Sequence, residues 1–220
     1  MGDYSLTSFS EIKQIISYYN LAPAKEYVPT TEGISNSNYK VSLTNGQNVL
    51  LKISNDKTLE QLNNEQDILA TLDRHGFKYS LKPLTSIRGR LIYEHDGIYG
   101  VVFPFIEGLP PKIDKSCAKQ IGEALGTLHS LEIFKEDLDV LRHHDLVGHG
   151  GLSVKDYTQR SNAAKDFSES FLRTFPDRLE NIPYDVFPSG IIHGDLYYDN
   201  SLFNKGKLVT LIDFEQSGRG

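Results

Sequence analysis

The sequence predicts an α+β fold: an antiparallel sheet with one helix laid against it, followed by a mainly helical part. Three observations predict it. Strand-like apolar runs fill much of the stretch between residues 39 and 106. Asn45-Gly46 and Asp96-Gly97 each sit between two such runs, the strongest short hairpin signal available. Beyond residue 114 the spacing of Cys117, Ile121, Ala124, Leu125 and Leu128 becomes that of one helix face.

The elements come in order along the chain. A first helix is expected from about Ser10 to Asn20, with Phe9, Ile12, Ile15, Ile16 and Tyr19 on one side and a Ser8-x-x-Glu11 capping box at its start. The first hairpin pairs Tyr39 to Leu43 with Asn48 to Ile53, and the second pairs Arg90 to Glu94 with Ile98 to Ile106. A helix from about Thr58 to Asp73 lies between them. Glu107-Gly108-Leu109-Pro110-Pro111 then breaks regular structure, because proline removes a donor and disfavours helix in the residue before it. The chain is therefore divided into a first lobe of residues 1–106, a linker of 107–114 and a second lobe of 115–220. Asp114 is the candidate cap of the next helix, and another helical stretch is expected from about Ser153 to Thr174. Short strands return at the end, with Ser201 to Phe203 and Leu208 to Ile212 flanking the turn Asn204-Lys205-Gly206-Lys207.

With 220 residues the chain can bury a core without disulfide or metal staples. Hydrophobic residues at 39% and charged residues at 24% exclude wholesale disorder. Lys and Arg number 23 against 29 Asp and Glu, a net charge of -6, so no global positive field exists to hold nucleic acid. The longest apolar stretches are strand-length, well short of a membrane span. No secretory signal is evident at Met1 to Ser10, and the single Cys117 cannot form an internal disulfide, so a cytoplasmic protein without a nucleic-acid or membrane partner is expected.

The densest polar cluster in an apolar setting is Ile191-Ile192-His193-Gly194-Asp195-Leu196-Tyr197-Tyr198-Asp199-Asn200, followed by Leu211-Ile212-Asp213-Phe214-Glu215. In the last hairpin Asn200 precedes the first strand and Asp213 ends the second. Both fall at the same open end, where their oxygens can share a divalent ion. Asp195 lies five residues before Asn200 on the entering loop, placed to face a hydroxyl nucleophile. In the first lobe Lys52 is a charge amid Val49-Leu50-Leu51-Lys52-Ile53, and Glu65 shares a helix stripe with Leu62, Leu69 and Leu72. A charge facing a core needs a partner, and each supplies the other's. A surface location for both is the blander alternative.

His-Gly-Asp-Leu-x-x-Asp-Asn followed by Ile-Asp-Phe-Glu resembles the signature of the aminoglycoside phosphotransferase and choline kinase superfamily, which has a two-lobed protein-kinase-like fold. The early segment Glu32 to Tyr39, leading into Leu50-Leu51-Lys52-Ile53, looks most like the homoserine kinase branch. The resemblance runs from about Ser10 to Glu215. It implies ATP and Mg²⁺ as cofactors and a small-molecule hydroxyl as acceptor, best guess homoserine. It further implies Asp195 as the catalytic group, Asn200 and Asp213 as metal ligands, and Lys52, held by Glu65, on the nucleotide phosphates. Glu215 assists the metal site indirectly. Phe103-Pro104-Phe105-Ile106-Glu107 resembles the hinge that reads adenine; Pro104 lacks an N–H, so the expected contacts are Phe105 and Ile106, with Ile106 the donor.

The loop Gly33 to Asn38 lacks the glycine pattern of protein kinases and offers Ser35, Asn36 and Ser37 as phosphate contacts; a polar hairpin turn is an equally fair reading. Members of the superfamily continue past Asp-Phe-Glu into helices that finish the substrate pocket, whereas this sequence stops at Ser217-Gly218-Arg219-Gly220, so a shortened chain is expected. An aminoglycoside or choline-type phosphotransferase, or a non-catalytic nucleotide-binding protein, are the rival functions. His193 and His129 read as structural, Cys117 as an inert core residue, and His143-His144-Asp145 with His149 as a substrate-side loop rather than a zinc site.

Overall fold

The computed structural model describes residues 8–30, 36–54, 57–139, 141 and 189–220. Helix α1 (Phe9–Ser17) begins where Ser8 and Glu11 cap each other reciprocally: the Glu11 carboxylate accepts the Ser8 N–H at 2.7 Å and the Ser8 hydroxyl accepts the Glu11 N–H at 3.3 Å. It stops earlier than expected, and Tyr19 instead forms an isolated bridge to Ser86.

Strands β1 (Ala24–Pro29), β2 (Asn36–Leu43), β3 (Asn48–Ser54), β4 (Ile92–His95) and β5 (Ile98–Pro104) form one antiparallel sheet in the spatial order β1-β2-β3-β5-β4. Gly46 and Gly97 take left-handed conformations in the two hairpin turns, as the Asn-Gly and Asp-Gly pairs require. β1 is an addition to the expected strands. Only Ala24 of it is fully buried, and Pro29 closes it, so neither periodicity nor composition betrays an edge strand. β2 also begins at Asn36 rather than Tyr39. This corrects the loop reading of residues 36–38, which pair with Ser54, Ile53 and Lys52 because β3 runs far enough to offer partners.

The alternation of β3 sorts its side chains between the two faces of the sheet. Val49, Leu51 and Ile53 face α1 and pack with Ile12, Ile15, Ile16 and Tyr19 in one core. Leu50 and Lys52 therefore face the other side, towards α2 (Leu59–Arg74). That helix opens with a second reciprocal cap between Thr58 and Gln61, and buries Leu62, Glu65, Ile68, Leu69 and Leu72.

Gly100 in β5 lies where the Tyr93 hydroxyl donates to the Lys52 carbonyl at 3.3 Å. A Cβ at Gly100 would overlap the Lys52 carbonyl oxygen and come within 2.6 Å of the Tyr93 ring. Gly100→Ala is therefore expected to destabilise the protein by about 1–3 kcal/mol through overpacking. The check is the urea midpoint, and one matching the parent chain's would mean that β3 yields at no cost.

After β5 the chain runs irregularly to α3 (Lys115–His129), whose Asp114 cap accepts the Cys117 N–H at 2.8 Å. Leu109 pairs with Phe203 by two backbone bonds, which fastens the connecting segment to the last hairpin, β7 (Ser201–Asn204) and β8 (Lys207–Leu211). Gln120 of α3 holds the same hairpin through the Gly206 carbonyl and the Leu208 N–H, both at 3.0 Å. A short helix α4 (Lys135–Asp139), the two-residue strands β6 (Ile191–Ile192) and β9 (Gly218–Arg219) and two single 3-10 turns, Tyr198–Asn200 and Phe214–Gln216, complete the described elements. One core joins both halves: Leu62, Leu69, Leu72, Val101 and Phe103 pack with Ala124, Leu128, Ile191, Leu211 and Phe214. The helix expected near 153–174 and the histidines 143, 144 and 149 lie outside the described residues.

Candidate active site

Lys52 and Glu65 meet as their strand and helix positions require. Lys52 Nζ lies 3.2 Å from Glu65 Oε1, with both side chains largely buried at 13% and 4% exposure. The same ammonium stands 4.0 Å from Asp213 Oδ1, so three of the expected site residues converge at one point between sheet, helix and last hairpin. Sequence reasoning missed the next charge. Lys57 Nζ lies 3.0 Å from Glu65 Oε2 and 2.6 Å from Glu215 Oε2. Its position just before the Thr58 cap was visible, but nothing in linear spacing relates residue 57 to residue 215.

Burial works against charge at Glu65, yet the two lysines outweigh it and hold its carboxyl below the usual range. For Lys57 burial likewise opposes the charge, and Glu65 and Glu215 together leave the amine above the ordinary lysine value. Asp213 behaves oppositely. Burial is the main cause of a rise to about 6; Glu215 and Glu65 add to it, while Lys52 and Lys57 only partly offset it. Its backbone is left-handed at φ 65, a sparsely used conformation for a residue other than glycine.

The second group is Asp195 with Asn200. Asn200 Nδ2 donates to the Asp195 backbone carbonyl at 2.7 Å, and the Asn200 carbonyl accepts the Ile212 N–H at 3.0 Å. These two bonds fasten the entering loop to the end of β8 and set Asn200 beside the residue preceding Asp213. His193 is the fastener below them. It is buried, its Nε2 donates to the Ile212 carbonyl at 3.0 Å, which assigns the tautomer, and its ring packs 4.4 Å from Phe214. Burial keeps its pKa below the ordinary value, in accord with a neutral, structural imidazole.

The remaining expected contacts are placed separately. Asn36 and Ser37 lie in β2 opposite Ser54 and Ile53, while Ser35 falls outside the described residues. The Phe105 N–H is taken by the Asn48 carbonyl at 3.2 Å, and the Phe105 ring lies 4.2 Å beneath the Lys40 ammonium. Among the described residues the Ile106 N–H meets no acceptor.

Asn200 and Asp213 suit Mg²⁺ by the chemistry of their donors, since that ion takes one or two hard oxygen ligands from protein and the rest from water and phosphate. The Asp213 carboxylate also lacks a hydrogen-bond donor among the described residues, its nearest cation being 4.0 Å away. Among those residues no group of three or more His, Cys, Asp or Glu assembles as a metal cage.

The Asp213 shift gives a signed prediction. Between pH 3.8 and about 6 the folded state holds a proton that the unfolded state has lost, so this group costs stability above pH 6 and stops doing so below 3.8. Ligand-free Asp213→Asn is expected to melt higher than the parent above pH 6, with the gap closing as pH falls towards 3.8. Melting curves across that window check it; a variant less stable at every pH would refute it.

Residues 26–220 match the model of the phosphotransferase enzyme family. The homoserine kinases of Methylobacillus flagellatus and Rhodopseudomonas palustris are 28% and 26% identical over 218 and 217 residues, covering 97% of this chain. The chain spans 65% of the length of these curated relatives. Among solved structures, spectinomycin phosphotransferase in complex with ADP and spectinomycin matches with a TM-score of 0.67 at 15% identity, over 97% of this chain and 70% of that one, which establishes a shared kinase-like fold. A family match across most of the sequence, joined to a likeness of fold, leads to one conclusion: the chain belongs to the phosphotransferase enzyme family.

Proposed function

We propose that the protein is an ATP-dependent phosphotransferase acting on the hydroxyl of a small molecule, with homoserine as the favoured acceptor. The observation that carries the reading is the buried Lys52 ammonium, held 3.2 Å from Glu65 and 4.0 Å from Asp213. An amine fixed between a helix carboxylate and a metal-type carboxylate suits nucleotide phosphates better than a purely structural purpose, because burying it carries a desolvation cost that an ion pair alone need not repay.

In this reading residues 1–106 form the nucleotide lobe and 115–220 the catalytic lobe, joined by 107–114. Lys52 holds the α- and β-phosphates, and Asn200 and Asp213 hold Mg²⁺, which when bound neutralises charge on the transferring group. Asp195 orients the acceptor and takes its proton as the acceptor oxygen bonds to the γ-phosphorus and the bond to the ADP oxygen breaks. Ile106 offers its N–H to adenine, with Phe105 beside it, while Asn36 and Ser37 at the start of β2 remain the phosphate-side candidates with Ser35. The homoserine assignment rests on the likeness to homoserine kinases at 25–28% identity.

ATP-consumption assays against homoserine, choline and aminoglycosides test this. Turnover with homoserine is expected. A response to an aminoglycoside alone overturns the acceptor, and MgATP binding without turnover on any acceptor overturns catalysis in favour of a nucleotide-binding protein.

A further inference from the structure

We propose that Lys57 is a positioning residue that ties helix α2 to the turn after Asp213, so that the phosphate-side pair and the metal-side carboxylate are set as one unit. Its catalytic consequence rests on the function proposed above; the tie itself does not.

The geometry divides Glu65 between two amines. Lys52 occupies Oε1 at 3.2 Å and Lys57 occupies Oε2 at 3.0 Å, so neither displaces the other. Lys57 then reaches across to Glu215 at 2.6 Å, in the single turn Phe214–Gln216 that begins directly after Asp213. A lysine placed for solubility would extend into water, whereas this side chain is only 12% exposed. The apolar contact beside it runs along the same line, since Phe214 packs in the core that holds Leu62, Leu69 and Leu72 of α2. Lys57 thus adds a charged fastening to a packed one, at the point where α2 meets the metal-side turn.

Removal of the amine would take from Glu215 the cation that lies 2.6 Å away and leave Glu65 with Lys52 alone. With Lys57 in place, two ammoniums face the three carboxylates Glu65, Glu215 and Asp213, and the carboxylate farthest from a cation is Asp213. A left-handed Asp213 needs such anchorage, because a non-glycine residue holds that conformation only when its surroundings over-determine it.

The test compares Lys57→Met, Lys57→Arg and Glu215→Gln in the full chain. Without nucleotide, Lys57→Met is expected to speed amide hydrogen exchange at Ser217 about tenfold, the scale of a coupling near 1.4 kcal/mol, while α3 amides are unchanged and Lys57→Arg restores the parent rate. Exchange unchanged at Ser217, or raised equally through α3, overturns the tie. Should Lys57→Met not fold, Glu215→Gln carries the same expectation, since it leaves Lys57 its Glu65 partner. With MgATP, Lys57→Met is expected to raise KM about tenfold, and the double variant Lys57→Met/Glu215→Gln to be no worse than Lys57→Met. Multiplying effects overturn the coupling. If the parent chain binds no MgATP, the proposed function falls, and the exchange result still decides the tie.

Discussion

Asp195→Ala is expected to lower turnover by about 10²–10⁴-fold, the range for a positioned acid–base group, while MgATP affinity is retained. The structure gives the reason the two separate. Asn200 is anchored to the backbone carbonyl of Asp195, at 2.7 Å, not to its carboxylate. Truncating the side chain thus leaves the Asn200 amide on the Asp195 carbonyl, and the Asn200 backbone carbonyl on the Ile212 N–H, in place, and removes only the carboxylate proposed to face the acceptor. Turnover numbers beside calorimetric titration with MgATP check this. Lost nucleotide affinity with surviving turnover would reverse the roles assigned to Asp195 and its neighbours.

Glu65→Ala has the largest expected effect on stability, about 3–5 kcal/mol, because it removes the shared partner of two buried amines. Lys57 keeps Glu215, so most of the cost falls on Lys52, whose next carboxylate is 4.0 Å away. Denaturant unfolding measures it; a loss below about 1 kcal/mol, the value of an exposed pair, would mean that the site is hydrated and the ion pairs weak. The contribution has a definite pH sign. The folded pKa of Glu65 lies below the ordinary glutamate value of 4.5, so its stabilisation is fully present above 4.5 and is lost as pH falls through the lower folded value.

Much of the site was legible because its signals are local or periodic. A lysine at an inward position of a strand and a glutamate on a leucine stripe each announce a buried charge, and pairing them needed only the rule that such charges are compensated. Asn200 and Asp213 were placed near each other by the register of one hairpin, in which Ser201 stands opposite Leu211, although β8 ends at Leu211 and not at Asp213. The capping boxes at Ser8 and Thr58 and the cap at Asp114 were equally readable, since a cap is settled within four residues. β1 was not readable: an edge strand with one buried residue carries almost no pattern. The start of β2 was misread because pairing with β3, not the polar composition of residues 36–38, decides where that strand begins.

By itself the sequence determined most of the strands and helices with their caps and turns, and which charged side chains to expect in the interior, since each depends on neighbours a few residues away. Only the tertiary structure decided that Lys57 joins Glu65 to Glu215, that the Asp213 carboxyl is raised to about 6, and that one core runs through both halves of the molecule. These depend on burial and on distances between atoms far apart in the chain, and electrostatic energy is governed by separation in space, not separation in sequence.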